Sequence, residues 1–332
     1  MKKKFVLVLA LALVGSLAFA GFNFSGEALV GYKFDLANGG VSTYGYDADT
    51  SYFSMNASSD YAKVAFRLLN GDATYNYMQT QAQLSVYLDK ALAAKNITLP
   101  VSLTLYLGNA SVSGFYSYTD PNSIVDDNYD GFNKNTRTNY PFGFDIGYEG
   151  YTARAMFDFV GSTVNPIVSV KGTPIEGVSF AASYLGASKY LAGSDDEFNL
   201  SATVDVAKLA GLDFDLKASA FTVIGLGNPT DDPIVLAAVT GGKDALSAYV
   251  EYSLNAVEDN ANDDAGSRIF GGVSYAFTDV TVGGGVDYQF VDTITSYSAY
   301  AKTTLGGITY KASVGGDTTG AAYLKAQAYI AF

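Results

Sequence analysis

Asp126-Asp127-Asn128-Tyr129-Asp130 and Asp259-Asn260-Ala261-Asn262-Asp263 carry the densest metal-ligating oxygens in this chain. Carboxylates so spaced could hold calcium, but neither set has the central glycine and distant glutamate of a helix–loop–helix calcium loop. Both read as solvated loop chemistry, and no metal site is expected. The chain has no histidine and no cysteine. That removes serine–histidine and cysteine–histidine catalysis, the commonest zinc ligands, and any disulfide framework. Gly283-Gly284-Gly285 lacks the Gly-x-Gly-x-x-Gly spacing and the following helix of a phosphate cradle. No enzymatic activity and no cofactor is expected.

The remaining chemistry is that of charges on strands. In Phe22-Asn-Phe-Ser-Gly-Glu-Ala-Leu-Val-Gly-Tyr-Lys-Phe34, the residues Phe22, Phe24, Ala28, Val30, Tyr32 and Phe34 share one face. Asn23, Ser25, Glu27 and Lys33 share the other. Period two over more than ten residues predicts a strand with one apolar and one polar face. Val101, Leu103, Leu105 and Leu107 alternate with Ser102, Thr104 and Tyr106, and Phe142, Phe144 and Ile146 alternate with Asp145. Phe198, Leu200, Ala202 and Val204 alternate with Asn199, Ser201, Thr203 and Asp205. On the polar faces the bases are Lys33, Lys63, Arg67, Arg154, Lys171, Lys217, Lys302, Lys311 and Lys325. The acids are Glu27, Asp145, Glu149, Asp158, Asp205, Asp213, Asp215, Glu251 and Asp287, so the two signs balance.

The acidic excess therefore falls in the connections: Asp35, Asp47 and Asp49; Asp195, Asp196 and Glu197; Asp231 and Asp232; Glu258, Asp259, Asp263 and Asp264. The full chain carries a formal charge of −13. Such a balance repels nucleic acid and anionic surfaces, and excludes a basic-patch function.

Lys2, Lys3 and Lys4, the apolar run from Phe5 to Leu17 and the small residues of Ala18-Phe19-Ala20 predict a signal peptide over 1–20, cut after Ala20. The same texture then runs from 21 to 332, and one domain is expected there. No apolar run in it is long enough for a membrane helix. A membrane-embedded form must be a closed barrel, because only helices and closed sheets satisfy every backbone group in lipid.

Connections sort into two classes that should alternate. Tight turns fall at 58–60, 149–150, 277–279 and 305–307. The other class, often long and acidic, is external, at 35–49, 70–73, 113–139, 161–165, 187–196, 224–232, 255–266, 291–293 and 316–319, with both termini expected in the periplasm. Asp89-Lys-Ala-Leu-Ala-Ala-Lys95 reads as a helical turn in a short-side connection. Counts from the two ends agree only if Pro233-Ile-Val-Leu-Ala-Ala-Val-Thr240 is a strand, with proline at its permitted first position. The predicted fold is all-β, a single transmembrane antiparallel β-barrel of 18 strands, or of 16 if the weak pair 166–172 and 177–186 does not span.

With these residues in place the chain resembles the porins and related outer-membrane barrels of double-membraned bacteria. Its terminal Phe332, preceded at alternate positions by Ile330, Ala328, Ala326 and Leu324, is similar to the aromatic-ended last strand of that class. The resemblance implies that these residues are read by the barrel-assembly machinery. In general porins the loop between the fifth and sixth strands folds into the lumen. Here that loop is 113–139, bearing Asp120, Asp126, Asp127 and Asp130 with Lys134 and Arg137. By the resemblance it is a constriction loop, and Lys63 and Arg67 form the lumen wall opposite it. It has no Pro-Glu-Phe-Gly segment of the kind many general porins carry, and the other reading of its length is a solvated external loop.

Barrels of 16–18 strands leave an aqueous channel. The expected function is passive diffusion of small hydrophilic solutes and ions across an outer membrane, with a modest cation preference from the acidic mouth. Outer-membrane lipid is then a partner, and a homo-oligomer is compatible with the architecture. The inward tyrosines Tyr106, Tyr249, Tyr300 and Tyr323 read either as a sugar-guiding stripe or as rim aromatics. A surface-structural or adhesive barrel with a blocked lumen fits the same sequence.

Overall fold

The computed structural model describes residues 21–44, 52–69, 79–108, 119, 142–160, 163–186, 196–226, 232–257 and 266–331. Its strands are β1 (Gly21–Asp35), β2 (in two segments, Val41–Tyr44 and Tyr52–Ser58), β3 (Ala62–Leu69), β4 (Gln79–Tyr87), β5 (Ser102–Gly108) and β6 (Phe142–Tyr148). They continue as β7 (Tyr151–Val160), β8 (Thr163–Ile175), β9 (Val178–Gly186), β10 (Asp196–Asp205), β11 (Asp215–Gly225) and β12 (Ile234–Lys243). The last are β13 (Leu246–Val257), β14 (Gly266–Ala276), β15 (Val280–Gln289), β16 (Ile294–Leu305), β17 (Ile308–Asp317) and β18 (Ala322–Ala331). Both segments of β2 pair with β1, the first opposite Gly31–Phe34 and the second opposite Gly21–Glu27, so they occupy one place in the ring.

Every strand pairs antiparallel with its neighbours in sequence. β1 pairs with β18 from Glu27 opposite Ala331 to Asp35 opposite Tyr323, which closes an 18-stranded barrel. Closure leaves no edge strand, so the ladder itself satisfies the backbone groups that hydrocarbon could not.

Alternation fixes the two faces. Outward residues are apolar and exposed along the ring, among them Val168, Val239, Val250, Val273, Val286 and Val314. An apolar belt of that extent far exceeds what water tolerates on a soluble monomer, and it suits lipid. Aromatics stand near both ends of the outer face: Tyr148, Tyr275 and Phe277 at one, Tyr252, Phe290 and Tyr297 at the other. The Tyr275 and Phe277 rings lie 4.8 Å apart, and Tyr288 and Phe290 4.9 Å apart. No helix is long and apolar enough to cross a membrane among the described residues.

Successive connections fall on alternate rims, but their lengths do not sort cleanly: 206–214 is long on the rim of the tight turns, and only two residues separate β7 from β8 on the other; Gly21 and Ala331 lie on the tight-turn rim. The differences from the sequence reading have local causes. Val41–Tyr44, expected within a loop 35–49, continues the ladder of β1, and the turn before it tightens because Asp35 Oδ1 accepts the backbone N–H groups of Ala37 and Asn38, each at 2.9 Å. Val164 and Asn165, expected in a turn, belong to β8, which with β9 forms full-length ladder. The expected helical turn near residue 89 is α1 (Leu88–Ala93). A second, α2 (Val206–Ala210), follows β10 directly. Asp205 caps it by accepting the Lys208 N–H at 2.9 Å, and Gly211 ends it at φ +63°.

Candidate lumen and its wall chemistry

Strand phase puts the sequence's polar faces inside. Lys63 faces inward on β3, level with Ser58 and Ser85. Arg67 is level with Gln81, in the same phase. Asp145 and Arg154 are register partners on β6 and β7. The Arg154 Nε and Nη2 donate to the two Asp145 oxygens at 2.7 Å each. Tyr106 Oη donates to Asp145 Oδ2 at 3.0 Å, and the guanidinium lies 5.5 Å from the Tyr106 ring. Paired in this way, both charges on that part of the wall are compensated within the protein.

A second pair was half missed by the sequence. Arg268 on β14 bonds Asp287 on β15 and sits 5.1 Å from the Phe270 ring, yet only the aspartate had been read as wall. The alternation of Arg268 with exposed Ile269 is the signal that places the arginine on the inner face. Glu197, read as a loop acid, is inward on β10, fully buried, and accepts from Asn199 Nδ2 at 3.1 Å. Asp213, read as wall, lies at the short-turn rim in an ion pair with Lys243.

Two stretches of the inner wall are apolar, where the alternation predicts a polar face. Phe221, Val223, Ile234, Leu236, Ala238 and Phe270 form a buried cluster over β11, β12 and β14, with Tyr249 packed on it. Met156, Ile167 and Leu185 form another on β7, β8 and β9, with Tyr106 against it. Toward the long-loop rim β11 and β12 carry apolar residues on both faces, with Ile224 and Val239 pointing outward. Glu251 stands among the first cluster, level with Ala238 and Phe270, and neither carboxylate oxygen has a hydrogen-bond partner among the described residues.

Thr119 reaches the wall at β8 and β9. Its Oγ1 donates to Ser183 Oγ on β9 at 2.8 Å, and Ser183 donates to Ser169 Oγ on β8 at 2.8 Å. All three are buried at 1% exposure. Thr119 belongs to the connection between β5 and β6, and Ser169 and Ser183 share the inward phase of Ile167 and Leu185. One point of that connection is therefore fastened inside the barrel. Asp120, Asp126, Asp127, Asp130 and Arg137 lie outside the described residues, as do the side chain of Arg67 and all of Phe332. Leu324 and Ile330 point outward on β18, with Ala326 and Ala328 in the same phase.

The arc from β15 through β18 to β1 is polar and partly exposed inside. It presents Asp287, Tyr300, Lys302, Lys311, Tyr323, Lys325 and Lys33, with Thr281, Ser313 and Gln327 between them. Among the described residues no cluster of three or more histidines, cysteines or carboxylates could hold a metal ion.

No protein-family model matches the chain, and no curated protein sequence does. Solved structures do. A mutant of the Rhodopseudomonas blastica porin aligns over 94% of this chain and all of its own, with a TM-score of 0.55 at 15% identity. The Pseudomonas aeruginosa protein OpdQ aligns over 94% of this chain and 98% of its own, with a TM-score of 0.60 at 8% identity. At these identities the likeness is one of fold: this chain has the porin-like fold of outer-membrane β-barrels.

Proposed function

We propose that the mature chain is an outer-membrane pore for passive diffusion of small hydrophilic solutes and ions, not an enzyme. The observation that carries this reading is the partly exposed polar inner face of β15–β18 and β1 behind an apolar outer face. A side chain inside a barrel is wetted only where the lumen is open. The likeness to porins at full length supports the same reading.

In this reading residues 1–20 are removed on export, the short-turn rim faces the periplasm, and the acidic long loops form the outer mouth. That mouth gives a modest cation preference. The connection carrying Thr119 narrows the lumen, with Asp120, Asp126, Asp127, Asp130 and Arg137 facing a wall that includes Lys63 and Arg67. The fastening of Thr119 to Ser183 supports an inward path for it. The alternating residues from Leu324 to Phe332 serve assembly of the barrel, and a homo-oligomer is compatible with its broad apolar belt.

The test is conductance of the folded protein in planar bilayers. Stable steps of uniform size are expected. A correctly folded barrel that stays electrically silent would establish the blocked, adhesive reading instead. Orientation is tested in cells. The chain lacks cysteine, so Asn262→Cys should react with an impermeant thiol reagent from outside, and Gly306→Cys only after the outer membrane is broken.

A further inference from the structure

Ser183 makes two hydroxyl bonds at once: it accepts from Thr119 Oγ1 and donates to Ser169 Oγ, each at 2.8 Å. A serine hydroxyl has one proton and two lone pairs. It turns a lone pair toward Thr119 when its own proton is engaged elsewhere, and Ser169, its register partner on β8, takes that proton. On its other side Ser183 is level with Asn199 on β10. Asn199 Nδ2 donates to Glu197, and its Oδ1 has no hydrogen-bond partner among the described residues. The wall therefore carries a second acceptor beside Ser183. Thr119, Ser169, Ser183 and Asn199 are all buried at 1% exposure or less.

Position in the ring gives this fastening a use. β8 and β9 stand half a ring away from β17, the middle strand of the partly exposed polar arc from β15 to β1. Whatever is held at Ser183 is held against the wall farthest from that arc. The chemistry of the hold matters as well. Three hydroxyls carry no charge, so dissolved salt does not screen their bonds as it screens interactions between ions. The charged groups on the adjoining strands have partners of their own. Arg154, level with Ser169, donates to Asp145, and Glu197 accepts from Asn199.

We propose that Ser183 is a positioning residue of the pore: through Thr119 it holds the β5–β6 connection against the β8–β9 wall and so keeps the passage along β15–β1 clear. The inference rests on the pore reading. Ser169 and Asn199 are the two places the Ser183 proton can go, so the lone pair facing Thr119 is kept available when one of them is lost. Because the hold is uncharged it works alike in dilute and concentrated salt, whereas a preference set by the acidic mouth fades as salt rises.

The experiment reads single-channel conductance in planar bilayers and the exclusion of neutral polyethylene glycols of graded size, on barrels whose folding is checked by heat-modifiable mobility. The unmodified protein should give steps of one size in dilute and in molar potassium chloride. Ser183→Ala should give a spread of smaller steps and exclude glycols that the unmodified pore admits, whereas Ser183→Thr should keep the single size. Ser169→Ala should behave nearly as the unmodified protein does, and Ser169→Ala/Asn199→Ala as Ser183→Ala does. The chain lacks cysteine, so Thr119→Cys/Ser183→Cys can be cross-linked with diamide. Its steps should be uniform when cross-linked and spread after reduction. Failure of this pair to cross-link in the folded barrel, or a Ser183→Ala variant with the unmodified step size and glycol cut-off, overturns the inference and leaves the pore reading standing. A silent barrel in which the pair cross-links overturns the pore reading and keeps the fastening.

Discussion

Tyr300 lies across Gly283 on the neighbouring strand, so that a Cβ built on that glycine would meet the tyrosine ring at 2.7 Å. The two are register partners on β15 and β16. Tyr249 covers Gly272 in the same way, with contacts at 2.9 Å, and Tyr323 covers Gly315. A glycine in a strand interior weakens the strand by itself, and its use here is to let a neighbouring group approach closely. Each ring lies along the inner wall rather than projecting into the passage. Gly283→Val should therefore lower stability by about 1–3 kcal/mol through overpacking, and should also reduce single-channel conductance by pushing Tyr300 inward. Adding Tyr300→Ala to that variant should recover most of both losses. Independent, additive losses in the double-mutant cycle would show that the two residues do not share this space.

The Asp145–Arg154 pair should be worth more than a surface ion pair. The two side chains are only 14% and 9% exposed, and breaking a buried pair by removing one partner costs about 3–5 kcal/mol. Asp145→Asn removes the negative charge beside the guanidinium and leaves Tyr106 with a weaker acceptor. Some lumen water will soften the penalty, and a loss near the lower end of that range is expected in denaturant titration of the folded barrel. Asp213→Asn, at the exposed Lys243 pair, should change stability by less than about 1 kcal/mol. Equal effects at the two sites would contradict the burial argument.

Ion selectivity separates the constriction from the mouth. Charges at a wet mouth act over about 8 Å at physiological salt, whereas those in a narrow section are screened less. Reversal potentials should be compared for Asp126/Asp127/Asp130 to Asn and Asp259/Asp263/Asp264 to Asn. The first variant should lose more of the cation preference. Equal small losses would leave the β5–β6 connection as an ordinary external loop fastened at Thr119 alone. An anion preference in the unmodified protein would show that the acidic mouth does not govern simple ions.

Deletion of Phe332, or its replacement by Asp, should lower the yield of folded barrel several-fold while cleavage after Ala20 proceeds as before. Heat-modifiable electrophoretic mobility reads the folded fraction. Normal insertion of both variants would remove any assembly role for the C-terminal residues.

Much of this architecture is local and so was readable in order along the chain. Period-two alternation reports which side chains share a face, turn lengths report which rim a connection belongs to, and the count of 18 followed once Pro233–Thr240 was taken as a strand. The same run also carried a second message, since Ile234, Val235 and Leu236 are apolar without alternation, the mark of a strand covered on both faces. What covers an inner face depends on residues far away in sequence, and alternation says nothing about them. Thr119 meets Ser183 across 64 positions, and Arg268 meets Asp287 because a hairpin register brings them diagonally together. The opposed lysines Lys33 and Lys325 stand at opposite ends of the chain and become neighbours only when β1 closes on β18. Sequence determined the faces and the rims; closure of the ring decided which charges meet, because that register is set by the shear of the whole barrel rather than by any strand in it.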